Sequence, residues 1–137
     1  YTGITELNNL PNCLKQLDCN NNKNITSLDN LPNRLEILDC SRGNIISLDN
    51  LPNSLTRLVC DRTEITLLDC LPSSLTTLKC SRTEINLLDN LPNSLEILEL
   101  GHMFNLELNN LPNSLKILSP TISRLKIPIP KIIAIIK

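Results

Sequence analysis

The stretch SLDNLPNRLEILDCSRGNI, residues 27–45, decides the fold because its pattern returns along most of the chain. A Leu-Pro pair marks each return, and the pairs begin at Leu10, Leu31, Leu51, Leu71, Leu91 and Leu111. The first two pairs are 21 residues apart and the later ones are 20 apart. A fixed period of this length predicts a repeat architecture, in which each unit packs mainly against its neighbours.

Each repeat unit contains one short strand pattern. In the quoted stretch Leu38 and Cys40 are two residues apart, so both side chains point to one face of a strand while Asp39 points to the other. Pro32 fixes its own φ and lacks an N–H donor, which favours an extended or 3₁₀ return over a regular helix. The leucines of one unit are buried only when units stack, so we expect a solenoid.

The segment LEILDCSRGNI resembles the Leu-x-x-Leu-x-Leu-x-x-Asn-x-Leu segment of leucine-rich repeats, with Cys40 in the third Leu place and Ile45 in the last. The short unit and LPNSL look most like repeats of secreted effectors from enteric bacteria, and like repeats encoded by bacteria and by large DNA viruses of amoebae. The resemblance covers roughly residues 4–118. It implies an α/β leucine-rich-repeat solenoid: a right-handed arc with a parallel β-sheet on its concave face, extended or 3₁₀ segments on its convex face, and little or no regular helix.

The repeat pattern also suggests a division of the chain. We expect leucine-rich repeats in residues 1–118, about six units of which the first is partial. Residues 119–137 are expected to form an atypical C-terminal cap or tail, because Pro128 and Pro130 interrupt the pattern there. The isoleucines of this tail need burial under the last unit or against another molecule.

The chain departs from the family at one position. The family's Asn, which bonds backbone between units, is replaced by Gly43, Thr63, Thr83 and Met103. Asn22 is its one expected survivor, and Thr is expected to bond backbone in its place.

Four of the six cysteines form a column at the repeat spacing: Cys19, Cys40, Cys60 and Cys80. Cysteine behaves as a small buried hydrophobe, so we expect this cysteine column to fill Leu sites in the core. A zinc site would need close pairs such as Cys-x₂-Cys, and regular disulfide pairing is poorly suited to an evenly repeated column. Cys13 and Cys70 stand outside the column without a neighbouring His or basic cluster. The sequence therefore predicts no metal, no cofactor and no catalytic residue.

Charge and composition narrow the partners. The net charge is −1 and aromatic residues make up 1% of the chain, so neither a global field nor aromatic stacking favours nucleic acid. The most apolar segment begins at Ile127, is short and contains two prolines, which predicts no membrane span. Free thiols favour a reducing, intracellular location in the source or host cell, with a virion as another possibility.

Repetition aligns surface residues into columns, and these supply the candidate site. Arg42, Arg62 and Arg82 form an arginine column that His102 continues, with Glu64 and Glu84 close by. Aligned like charges repel, so either these glutamates neutralise the arginines or an acidic patch on a protein partner does. The candidate partner-binding residues are Asp39, Arg42, Arg57, Val59, Arg62, Lys79, Arg82, Ile97, Glu99 and His102.

A second polar column precedes the Leu-Pro pairs. It consists of Asp29, Asp49, Asp69 and Asp89, with Asn8 and Asn109 at its ends. Asp before a turn commonly accepts backbone N–H groups, so we expect these carboxylates to cap the turns. A calcium ladder would need glycine-rich loops that the sequence lacks.

The predicted function is a non-enzymatic leucine-rich-repeat module that binds an unidentified protein partner through its concave sheet and the adjoining arginine column. The alternative is a structural or assembly component, for example of a virus particle or filament, that self-associates through the solenoid ends and the apolar C-terminal tail. A fragment of an effector without its active domain is a third possibility. The resemblance to repeat proteins underlies all three.

Overall fold

The computed structural model describes residues 4–101, 110–120 and 134–135. Each repeat unit contributes one short strand to a single sheet. The strands are β1 Gln16–Asp18, β2 Ile37–Asp39, β3 Arg57–Val59, β4 Thr77–Cys80, β5 Ile97–Leu100, β6 Ile117–Pro120 and β7 Ala134–Ile135. The described residues contain no helix, as the prolines of the return segments predicted.

The sheet is parallel throughout, and its strand order is the order of the chain. The register aligns equivalent positions of the units, for example Leu38 with Leu58 and Leu58 with Leu78. Columns read from the sequence are therefore columns in space. The predicted fold class, a leucine-rich-repeat solenoid with little or no helix, is confirmed.

The core is a stack of aliphatic side chains between the sheet and the return segments. In one unit Leu35, Leu38, Cys40, Ile45 and Leu48 are all buried. The equivalent positions of the next units are buried too, so apolar layers run along the solenoid. Leu10, Leu17 and Cys19 of the first described unit are only partly buried.

The turns before β3, β4, β5 and β6 are each tied to the preceding unit by a serine hydroxyl. In the turn before β3 the Leu55 N–H donates to the Pro52 carbonyl at 3.0 Å. Ser54 Oγ then donates to the Leu35 carbonyl at 2.6 Å. Three later serines repeat this bond: Ser74 to Leu55, Ser94 to Leu75 and Ser114 to Leu95. The Ser of the LPNS motif is therefore a connector between units.

The aspartate column does not cap backbone in the predicted way. Asp29 Oδ1 accepts a hydrogen bond at 2.8 Å from the amide of Asn50, one unit further along the chain. Asp69 Oδ1 accepts one from Asn90, at 3.4 Å. These bonds join side chains of successive units. The prediction of backbone capping is therefore wrong for Asp29 and Asp69.

The asparagine directly before a Leu-Pro pair takes a left-handed backbone conformation. Its φ is 61–62° at Asn9, Asn30, Asn50, Asn90 and Asn110. Asparagine enters this region more readily than most non-glycine residues. The recurrence of Asn before the Leu-Pro pairs thus has a local reason, the left-handed backbone, in addition to its side-chain bond to the preceding unit.

Backbone bonds at the family's Asn position agree with expectation. Asn22 Nδ2 donates to the Ile4 carbonyl at 3.2 Å, a bond between units. Thr63 Oγ1 and Thr83 Oγ1 donate to the carbonyls of Cys60 and Cys80, each at 2.8 Å. Met103 lies outside the described residues.

Candidate binding surface

The outward side chains of the strands form two rows across the sheet. One row contains Asp39, Val59, Lys79 and Glu99, and the other contains Ile37, Arg57, Thr77 and Ile97. In the first row Lys79 Nζ and Glu99 Oε1 form an ion pair of 2.8 Å. The two rows therefore mix apolar and charged groups.

The arginine column follows the strands directly, and its backbone is unusual. The φ angles are 57° at Arg42, 57° at Arg62 and 58° at Arg82. This left-handed region is unfavourable for a long side chain with a Cβ, at a cost of about 1–2 kcal/mol per residue. Asn21 occupies the same place in the first described unit, also with φ of 57°. Asn, which adopts this backbone conformation more readily, fits at this position in the first unit, yet the next three units have Arg there.

The arginine guanidinium groups have no partner among the described residues. All three side chains are exposed. The ion pairs of the described residues join Lys15 to Glu36, Lys79 to Glu99 and Lys116 to Glu96. Glu64 and Glu84 line a second depression, on which the three arginines also border. Neither glutamate forms an ion pair with an arginine within 4.0 Å. Neutralisation by these glutamates, one of the two alternatives, is absent from this part of the chain.

A groove of about 520 Å³ lies beside the arginine column, and we call it the arginine groove. Its lining residues are Asn20, Asp39, Ser41, Arg42, Val59, Asp61, Arg62, Ser81 and Arg82. The two carboxylates in it are held by backbone amides. Asp39 Oδ1 accepts the Ser41 N–H at 2.9 Å, and Asp61 Oδ1 accepts the Ser81 N–H at 2.6 Å. The groove therefore presents three unpaired cations beside two oriented anions.

Ser41 is the one buried side chain of the described residues whose polar atom lacks a hydrogen bond. The residue is 9% exposed and lines the arginine groove. A buried hydroxyl without a partner is destabilising, by about 1–3 kcal/mol, and native structures rarely contain one. Alternation along the chain predicts that Ser41 points outward like Asp39, so its burial departs from that pattern.

The backbone at Gly101 packs closely against the backbone at Arg82. Gly101 stands at the place of Ser81, and a Cβ there would lie 2.4 Å from the Arg82 backbone nitrogen. Any larger residue would displace the backbone of the last described arginine. The absence of a Cβ at Gly101 therefore allows the two backbones to approach this closely.

Three of the four residues of the cysteine column are packed into the core as predicted, and Cys19 is partly buried. Cys40, Cys60 and Cys80 are at most 1% exposed, and all six cysteines are free. Burial raises the pKa of Cys19 to about 11 and that of Cys80 to about 12, and it raises the pKa of Cys40 and Cys60 as well. These thiols stay protonated and unreactive at neutral pH.

The two remaining cysteines are exposed, and one contacts the aspartate column. Cys70 stands where other units have the Asn before the Leu-Pro pair, and its hydrogen bond to Asp49 raises the pKa of the thiol. Hydrogen bonds from Ser47, which has the larger effect, and from Cys70 hold the pKa of Asp49 below its usual value. Within residues 4–101, 110–120 and 134–135 no group of His, Cys, Asp and Glu is arranged to hold a metal ion.

The structure brings together half of the candidate residues. Asp39, Arg42, Val59, Arg62 and Arg82 line the arginine groove. Arg57, Lys79, Ile97 and Glu99 lie on the adjoining strands. His102 lies outside the described residues. The candidate set omitted four residues that line the groove, although three of them directly precede the arginines in the sequence: Asn20, Ser41, Asp61 and Ser81.

Comparisons with known proteins agree with this architecture. The chain is similar to CroV588, described as a novel circular leucine-rich-repeat protein: identity is 36% over 70% of this chain and 15% of that chain, with a TM-score of 0.57. It is also similar to YopM from Yersinia enterocolitica WA-314, with 30% identity over 83% of this chain and 30% of that chain and a TM-score of 0.49. The chain thus spans a small part of the length of either protein.

The fold and the similarity to CroV588 show a solenoid of the leucine-rich-repeat type. Within it, residues 86–119 match the family model of the FNIP repeat. No curated protein sequence matches the chain. Repeats of this type generally mediate protein–protein interaction and are typically non-catalytic. In the described part of the chain, no helix has the length and apolar character needed to cross a membrane.

The assembly alternative and the proposed division of the chain depend on the C-terminal segment. Of residues 121–137, the structure describes only the backbone of β7, which pairs with β6 in parallel. The apolar tail around Ile132 lies outside the described residues. Self-association through the solenoid ends stays a prediction, and light scattering over a range of concentrations would test it.

Proposed function

We propose that the chain is a non-catalytic module that binds a protein partner through the outward rows of its sheet and the arginine column. The observation that carries this proposal is the state of the three arginines. They are exposed, aligned and without an ion pair among the described residues, and they occupy a backbone conformation that Asn would adopt at lower cost. Strained non-glycine residues concentrate at functional sites.

The adjoining rows extend this surface. Val59 and Ile97 contribute half-buried apolar area, while Arg57 and the Lys79–Glu99 pair add polar contacts. A patch that combines apolar area with arginine matches the composition of protein interfaces. Asp39, at the edge of the groove, joins the rows to the arginine column.

The experiment compares two charge-reversal variants of the whole chain. A partner is isolated by cross-linking, and its affinity is then measured for the wild type, for Arg62→Glu/Arg82→Glu and for Arg34→Glu/Lys116→Glu. The second variant changes the net charge equally but at exposed sites outside the arginine groove. We expect the first variant to lose binding by about a hundredfold or more and the second to bind like the wild type.

Circular dichroism and urea titration of both variants check that the fold is intact. Equal binding by the two variants would overturn the proposal that the arginine column is part of the interface.

A further inference from the structure

The arginine groove presents both hydrogen-bond donors and acceptors, and this mixture defines the chemistry of its ligand. We propose that the groove binds an extended acidic peptide segment that lies across the strands. Its carboxylates contact the arginine column, and its backbone N–H groups donate to Asp39 and Asp61. This inference rests on the proposed function and adds the chemistry of the partner.

The donors fit carboxylates in a line. A guanidinium binds a carboxylate through two parallel hydrogen bonds, and the guanidinium groups of the column are free to do so. Arg42 and Arg82 are two strands apart, which corresponds to about 9.6 Å. An extended polyproline-type peptide rises about 9.3 Å in three residues. Acidic residues at every third position would therefore meet the two outer arginines, with Arg62 between them.

The acceptors distinguish a peptide from a nucleic acid. Asp39 and Asp61 each use Oδ1 for a backbone amide of this chain, and no described residue donates to their Oδ2 atoms. A phosphate backbone has no N–H groups to offer and would be repelled by these two carboxylates. A peptide backbone supplies N–H donors. The residues lining the groove also include no aromatic side chain on which a base could stack.

Ser41 provides a second and independent indication of a ligand. Its hydroxyl is nine-tenths buried, lines the groove and lacks a partner in the described part of the chain. Rotation about χ1 lets a hydroxyl donate to a carboxylate or accept from an N–H. A peptide seated in the groove would satisfy this group, which otherwise stays unpaired.

The test uses fluorescence anisotropy with a short labelled peptide that has Glu at every third position. The controls are the same peptide with Gln in place of Glu and a single-stranded oligonucleotide of equal length. We expect the Glu peptide to bind the wild type more tightly than either control. Arg42→Gln/Arg82→Gln should weaken it by about tenfold or more, since each removes a charge-assisted contact, and Arg34→Gln should leave it unchanged.

The variant Asp39→Asn/Asp61→Asn separates a specific site from simple charge attraction. Asn keeps the Oδ1 acceptor for the backbone amides but replaces the free Oδ2 with a donor. We expect it to weaken the Glu peptide, whereas charge attraction alone predicts that removing two carboxylates strengthens binding. Stronger peptide binding by this variant, equal binding of the Gln peptide, or tighter binding of the oligonucleotide would each overturn the inference.

The two proposals fail separately. If the cross-linked partner requires Arg62 and Arg82 while the Glu peptide does not bind, the column is an interface for a different chemistry. If neither requires the arginines, the proposed interface itself is wrong.

Discussion

The cysteine column and the arginine column lie two residues apart in the sequence and repeat with one period, yet they have opposite roles. Cys60 is fully buried with its thiol against the Lys79 carbonyl, at 3.4 Å, while Arg62 is exposed and unpaired within the described residues. The strand periodicity sends the first side chain inward, and the left-handed residue after the strand turns the second toward solvent. In this solenoid the repeat period therefore shows which residues align. The unfavourable backbone conformation of the arginines is what points to a functional role for their column.

The largest effect should come from placing the same charge in both columns. Cys60→Asp buries a carboxylate among leucines, and we expect it to remove about 4 kcal/mol or more from the free energy of unfolding. Arg62→Asp places that carboxylate in solvent and should change stability by about 0.5 kcal/mol at most. Urea titrations of the two variants measure this contrast. Equal losses would show that the columns do not differ in burial.

A smaller effect should follow from alkaline pH. Burial raises the pKa of the cysteine column above the value of 9.0 for an exposed thiol, so the folded state keeps protons that the unfolded state releases. The stabilisation contributed by these thiols should therefore be fully present below pH 9.0. It should decline as the pH rises toward about 12, where the Cys80 thiol of the folded protein ionises. Each protonated thiol contributes a slope of about 1.4 kcal/mol per pH unit in this window.

Thermal unfolding of the wild type and of Cys60→Ala/Cys80→Ala across this range tests that prediction. The variant starts from lower stability, because it loses buried atoms, but its stability should fall less steeply with pH. Parallel slopes for the two proteins would contradict the assignment to these thiols.

The smallest effect should be a gain in stability. Replacing Arg42, Arg62 and Arg82 by Asn relaxes three left-handed residues toward the arrangement that Asn21 already adopts. We expect about 0.5 kcal/mol per site in added stability, together with loss of partner binding. A matched Arg34→Asn variant should not gain stability, because Arg34 does not have a positive φ. If the triple variant is less stable than the wild type, backbone strain is not what distinguishes the column.

Much of the fold follows from period and alternation alone. The repeat spacing fixes which residues align, so the burial of Leu38, Leu58 and Cys60 follows from the sequence once one strand is recognised. The prolines exclude helix in the return segments. These features are local or strictly periodic, and a single sequence displays both.

Features that depend on contacts between units were less visible. The Asp29–Asn50 bond and the Ser54 bond to Leu35 require the register of neighbouring units, which one unit does not specify. Some of the left-handed residues can be predicted from the sequence, because Asn at a fixed place before Leu-Pro favours such a conformation. Arg42 gives no such signal, since its propensity opposes the conformation it adopts. The burial of Ser41 depends on packing between adjacent units and was missed for that reason.

The strictly sequential strand order has a consequence for how the molecule opens. Each unit contacts only the units before and after it, so partial unfolding proceeds inward from the terminal units. The arginines follow β2, β3 and β4, which have a paired strand on both sides. Fraying of the outer units would leave this array intact. Hydrogen exchange should thus be slowest in the segment that holds the proposed interface.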